Sequence, residues 1–147
     1  MQRNVIPVLL VLLLLATGAQ AQSKIAPVIQ PAIDGIFAAF KTHPLVGIGD
    51  EHGLAQEEDF WAALVRDPRF AQDVGNVVVE FGDASEQPII DRYLAGENVS
   101  YSDLRKVGTN TVGWVPPPFK LGYANFFAQV RAANLFAPTT QRIHVWL

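Results

Sequence analysis

The chain has 147 residues, with 11 lysines and arginines against 14 aspartates and glutamates, and no cysteine. Without cysteine there is no disulfide staple, no thiol nucleophile and no thiolate metal site. The acidic balance, with no basic block or arginine stripe, excludes the usual nucleic-acid footprint, so no nucleic acid partner is expected. The length suits one small domain.

The chain opens on Arg3, an apolar run from Val5 to Ala16, and then Ala19-Gln20-Ala21. A basic start, an apolar centre and small residues before a cut are the layout of a secretory signal. A membrane-spanning helix needs about 20 apolar residues, more than this run supplies. Residues 1–21 are therefore expected to be a signal peptide. Residues 22–147 are expected to form an exported domain, periplasmic or secreted, with no stable membrane anchor after cleavage. The lack of disulfides favours a bacterial periplasm. Cleavage removes Arg3 and no acid, so the mature domain is more acidic than the precursor.

Ile29, Ile33, Ile36, Phe37 and Phe40 recur at helical spacing. Leu45-Val46-Gly47-Ile48-Gly49 reads as a first, buried strand. Gln56 to Arg66 returns to helical spacing, with Glu57, Glu58 and Asp59 suited to its positive end and Asp67-Pro68 as a stop. Asn76 to Gly82 is β-branched and reads as a second strand. A helix through Ile89, Ile90, Tyr93 and Leu94 follows, capped by Ser85 or Asp83; Ser85 is favoured because Pro88 must fall in the first turn. Ser100-x-x-Asp103 starts another helix, and Val107 to Val115 looks irregular. Pro116-Pro117-Pro118 predicts an extended approach to an apolar helical stripe through Phe119, Tyr123, Phe126, Phe127, Val130 and Ala133. Arg142 to Leu147 reads as a third strand.

Strands alternating with helices imply crossovers and a parallel sheet covered on both faces. The expected fold class is α/β, with a parallel sheet of about three strands and helices on both faces. The abrupt end of the last strand at Leu147 suggests the front part of a larger α/β domain.

In such a sheet, ligands bind at the carboxyl ends of the strands. The first strand runs into Gly49-Asp50-Glu51-His52-Gly53, three ionisable groups between two glycines. The second carries Glu80, with Asp83 just after it. Alternation puts Val77, Val79 and Phe81 on one face and Val78 and Glu80 on the other. A carboxylate on a covered face costs several kcal/mol unless it is paired. His52 is the partner the topology offers. A Glu80–His52 pair orients the ring for general-base work, or binds a metal through nitrogen and oxygen. Plainer roles remain open: Glu80 anchoring a backbone amide, Arg92 or Arg105, His52 as a solvated loop residue, Asp50 as a turn cap. His43 and His144 read as structural. There is no G-x-S-x-G elbow, H-E-x-x-H, P-loop or G-x-G-x-x-G.

Ile48-Gly49-Asp50-Glu51-His52-Gly53, followed by Val77-Val78-Val79-Glu80-Phe81-Gly82, resembles the superfamily of erythromycin-esterase-like, ChaN-like haem-uptake and Tiki/TraB proteins. Those proteins share a strand ending in G-x-x-H or G-E-x-H and a later strand ending in glutamate. The resemblance spans roughly Leu45 to Gly96, with Asp50 standing where the esterase and haem branches usually have glutamate. The esterase branch implies a histidine base that activates water against an ester. The Tiki branch implies a divalent metal on His52 and Glu80, and the haem branch a haem against apolar surface.

The leading expectation is a hydrolase with His52 and Glu80 at its centre. Asp50 and Glu51 join them as catalytic candidates, and Asp83 and Arg92 as substrate-binding ones. Its substrate is an unidentified small molecule or peptide. The alternatives are a non-catalytic metal- or haem-binding protein, with Tyr93, Tyr101 and Tyr123 as further ligands, and an inactive fragment.

Overall fold

The computed structural model describes residues 28–49, 51, 54–110 and 117–147. The expected signal peptide at 1–21, together with Asp50, His52, Gly53 and residues 111–116, lies outside them. The described chain runs α1 (Gln30–Phe40), α2 (Ala55–Arg66), a π turn (Phe70–Val74), β1 (Asn76–Val78) and a 3-10 turn (Ala84–Glu86). It continues through α3 (Gln87–Leu94), α4 (Tyr101–Thr109), α5 (Pro117–Phe136), a second 3-10 turn (Thr139–Gln141) and β2 (His144–Trp146).

Local chemistry sets most of these limits. Asp67 leaves α2 in an extended conformation because Pro68 follows it. The π turn closes on Gly75, whose φ of 71° is the left-handed conformation glycine adopts without strain, and its N–H reaches Phe70 O at 2.8 Å. Ser100 caps α4, accepting the Asp103 N–H at 3.1 Å and donating to Asp103 Oδ2 at 2.8 Å. Pro88 falls in the first turn of α3. Asp83, rather than Ser85, caps the turn before it, accepting the Ser85 N–H at 2.8 Å. Two other expectations fail: α4 continues through the buried Val107, and the α5 backbone already begins at Pro117. A proline is tolerated there because the first helical N–H groups have no intrahelical acceptor.

One apolar cluster joins the elements. Phe126, Phe127 and Val130 of α5 meet Leu64 and Val65 of α2, Ile90 and Leu94 of α3, Val107 of α4, and Ile143 and Val145 at β2. α1 adds Ile33 and Phe37. It is also tied down by Arg69, whose guanidinium lies 4.3 Å over the Phe37 ring and bonds Asp34 at 2.9 Å and Asp67 at 2.6 Å. Arg131 of α5 donates to the carbonyls of Tyr93, Gly96 and Glu97, tying the end of α3 and the turn after it to α5.

The expected sheet is corrected by this structure. The described chain is mostly helical, and its sheet has two strands, β1 and β2, paired in parallel with Val77 beside Val145. The Leu45–Gly49 run forms no strand; Leu45 is 79% exposed and Ile48 45%. A short apolar run states that a segment is apolar, not that a ladder partner awaits it. Nor, among the described residues, is the sheet covered on both faces. Val77, Val79 and Val145 turn toward the core, while Asn76, Val78, His144 and Trp146 face outward and are exposed.

The outer edge of β2 is closed by side chains. Asn134 of α5, only 3% exposed, takes the Ile143 N–H at 2.7 Å and donates to Ile143 O at 2.9 Å. Gln87 donates to Val145 O at 2.8 Å and accepts the Leu147 N–H at 3.0 Å. A carboxamide has the donor and acceptor of a peptide unit, so these two side chains stand in for a neighbouring strand. Asn134→Ala leaves buried groups of Ile143 without partners, which costs about 2–4 kcal/mol. The expected result is a lower urea midpoint with an unchanged m-value, measured by circular dichroism.

Candidate functional site

The expected site centres on the end of β1. β1 stops at Val78, and Glu80 follows in a bend, exposed to solvent. The alternation read from sequence holds: Phe81 is buried, and Val79 packs on the core. The inference of a costly buried carboxylate does not hold, because no helix among the described residues covers the outward face and Glu80 is exposed. Glu80 is presented rather than enclosed. Its neighbours are firmly set, with the Phe81 ring stacked on Tyr123 at 4.5 Å. Gly82 follows with φ 117°, and an added Cβ there would press on the Leu147 side chain.

Asp50 and His52 lie outside the described residues; Glu51 is anchored. The Glu51 N–H donates to Glu57 Oε2 at 2.8 Å, and Glu51 O accepts the Leu54 N–H at 3.2 Å. Glu51 is exposed and held at the start of α2. Sequence alone assigns Glu57 only to the positive end of the helix. The signal for its role was its position in a helical first turn six residues beyond Glu51.

The remaining candidates are already engaged. Asp83 serves as a turn cap, and hydrogen bonds from Ser85, side chain first and backbone second, hold its carboxyl below the usual carboxylate range. Arg92 sits in the last turn of α3 and pairs with Glu97 at 2.9 Å, which raises its pKa. The structure therefore does not bring Arg92 to Glu80. Of the tyrosines, Tyr93 lies 4.8 Å beneath the Arg131 guanidinium, Tyr123 packs on Phe81, and Tyr101 stands in solvent. Among the described residues, no three histidines or carboxylates converge as a metal site. His43 caps the end of α1 with its Nδ1 2.9 Å from Thr42 Oγ1, and His144 stacks beside Trp146 at 6.2 Å.

A surface groove of about 600 Å³ lies elsewhere, lined by Asp34, Phe37, Phe40, Lys41, Arg69 and Asp73. Two of its charges, Asp34 and Arg69, hold α1. Arg69 hydrogen bonding keeps the Asp67 carboxyl below its ordinary range; Asp34 is lowered first by Gln30 and then by Arg69.

No family model matches the chain, and neither a curated protein nor a solved structure matches it. Among the described residues, no helix is long and apolar enough to cross a membrane.

Carboxyls lowered by folding stabilise the native state above their unfolded pKa of about 4, and that contribution fades as pH falls through the native values. The urea midpoint is thus expected to be flat near neutrality and to drop under acid. Arg69→Ala should lower the midpoint at neutral pH and shallow the acid decline. A pH series of urea melts on both proteins checks this.

Proposed function

We propose that the chain is an exported domain of the erythromycin-esterase-like type, whose hydrolytic centre assembles at the carboxyl end of β1. His52 acts as base and Glu80 as its orienting partner. The observation that carries this reading is Glu80 itself: a solvent-facing carboxylate just past a parallel strand, fixed between inward-packed Val79 and Phe81. That is where open parallel sheets bind ligands. The Glu51–Glu57 hydrogen bond adds support, because it pins the residue next to His52 to the start of α2.

In this mechanism the His52 imidazole takes a proton from water as the water oxygen attacks the ester carbonyl carbon. The Glu80 carboxylate accepts the other ring N–H and stabilises the imidazolium. The imidazolium then returns the proton to the departing alkoxide, leaving an acid and an alcohol. Asp50 and Glu51 supply further negative charge on the loop. The signal-like layout of residues 1–21 supports export.

His52→Ala is expected to lower kcat/KM on an ester and peptide panel about 100-fold or more. The base must be neutral, so the rate rises with pH through the imidazole range near about 6.5. Glu80→Gln is expected to lower kcat/KM as well, because an amide oxygen is a weaker acceptor for the ring N–H than a carboxylate. A His52→Ala protein that unfolds like the parent and hydrolyses as fast would end the proposal.

A further inference from the structure

The two edges of the sheet are treated differently. On β2, Asn134 occupies the N–H and C=O of Ile143, and Gln87 occupies the C=O of Val145 and the N–H of Leu147. On β1, the bonds from His144 N–H to Gly75 O and from Val79 N–H to Trp146 O set the alternation of the ladder. Gly75, Val77 and Val79 therefore point toward β2, while Asn76 and Val78 turn their N–H and C=O groups away from it. Among the described residues no hydrogen bond reaches those four groups. Folded proteins commonly block such an edge with lysine, proline, a bulge or a covering segment. β1 carries no lysine or proline, and Val78 is 75% exposed.

The surroundings select the occupant. Beside the open edge, the outward face bears Val78 and Trp146, the latter 50% exposed with its ring N–H held by Asn76 Oδ1 at 3.1 Å. Beyond the strand's carboxyl end stands the exposed carboxylate of Glu80. We propose that the edge of β1 captures an extended peptide segment as an added strand, with an apolar side chain laid beside Val78 and a lysine or arginine opposite Glu80. Backbone hydrogen bonds to Asn76 and Val78 give affinity, and the alternate side chains give selectivity. A second copy of this chain is the weaker occupant, because it brings its own acidic Glu80 and an overall negative charge. The inference shares Glu80 with the proposed hydrolytic site but does not rest on that reading, and its readout is amide resonances rather than turnover.

The test uses the purified, nitrogen-15-labelled chain and a blocked peptide of alternating threonine and valine that ends in two lysines. Two control peptides accompany it: one N-methylated on the amides that would face β1, and one ending in two glutamates. Addition of the lysine peptide is expected to shift the Asn76 and Val78 amide resonances saturably and slow their hydrogen exchange at least about tenfold. N-methylation is expected to abolish both effects, since it removes the backbone donors. The glutamate peptide should bind several-fold more weakly, and Glu80→Lys should reverse that preference. No saturable shift, equal binding of the N-methylated peptide, or a Val78 amide already protected in the free protein, whether by self-association or otherwise, would overturn the proposal.

Discussion

The parallel pairing of β1 with β2 is the constraint on which the rest of this structure depends. Parallel neighbours cannot be joined by a tight turn, so the chain between them must cross over the sheet. That crossover is α3, α4 and α5, and its length is what lets α5 lie against α2 as the principal helix contact. Because both strands run the same way, their carboxyl ends fall together. Gly82 lies against Leu147 there, and Glu80 emerges nearby.

A two-stranded parallel sheet is a marginal object, and its cohesion here comes from what flanks it. The inward face rests on the Ile90, Val107 and Val130 core. The β2 edge is completed by Asn134 and Gln87, each supplied by a helix of the crossover. The same helices that close the connection thus also finish the hydrogen bonding of the strand they lead to. The outward face and the β1 edge receive no such cover among the described residues. The exposed valine, tryptophan and glutamate collect there for that reason.

The polar candidates divide by what already holds them. Asp83 and Arg92 are committed to a cap and to an ion pair, so their charge serves local structure. Glu51 is tied through its backbone, which leaves its own carboxylate outside that bond. Glu80 is held by its neighbours' packing rather than by its own side chain. The outward place of Glu80 between inward Val79 and Phe81 could be read from sequence because strand alternation is local. The covered environment assumed for Glu80 could not, since it required a helix layer that no local pattern encodes.

Sequence by itself determined what depends on residues within a turn or two of each other: the Asp67-Pro68 stop, the Ser100 cap, the place of Pro88, and the inward alternation of Val77, Val79 and Phe81. Each follows from steric limits or hydrogen bonds that close over about four residues. Tertiary structure alone decided how many strands pair and which edges and faces are covered. Those outcomes rest on groups far apart in the chain, such as Gln87 and Leu147, 60 residues apart, and Asn76 with Trp146, 70 apart. An apolar run such as Leu45–Ile48 can nominate itself as a strand, but only a partner brought alongside by the whole fold can make it one.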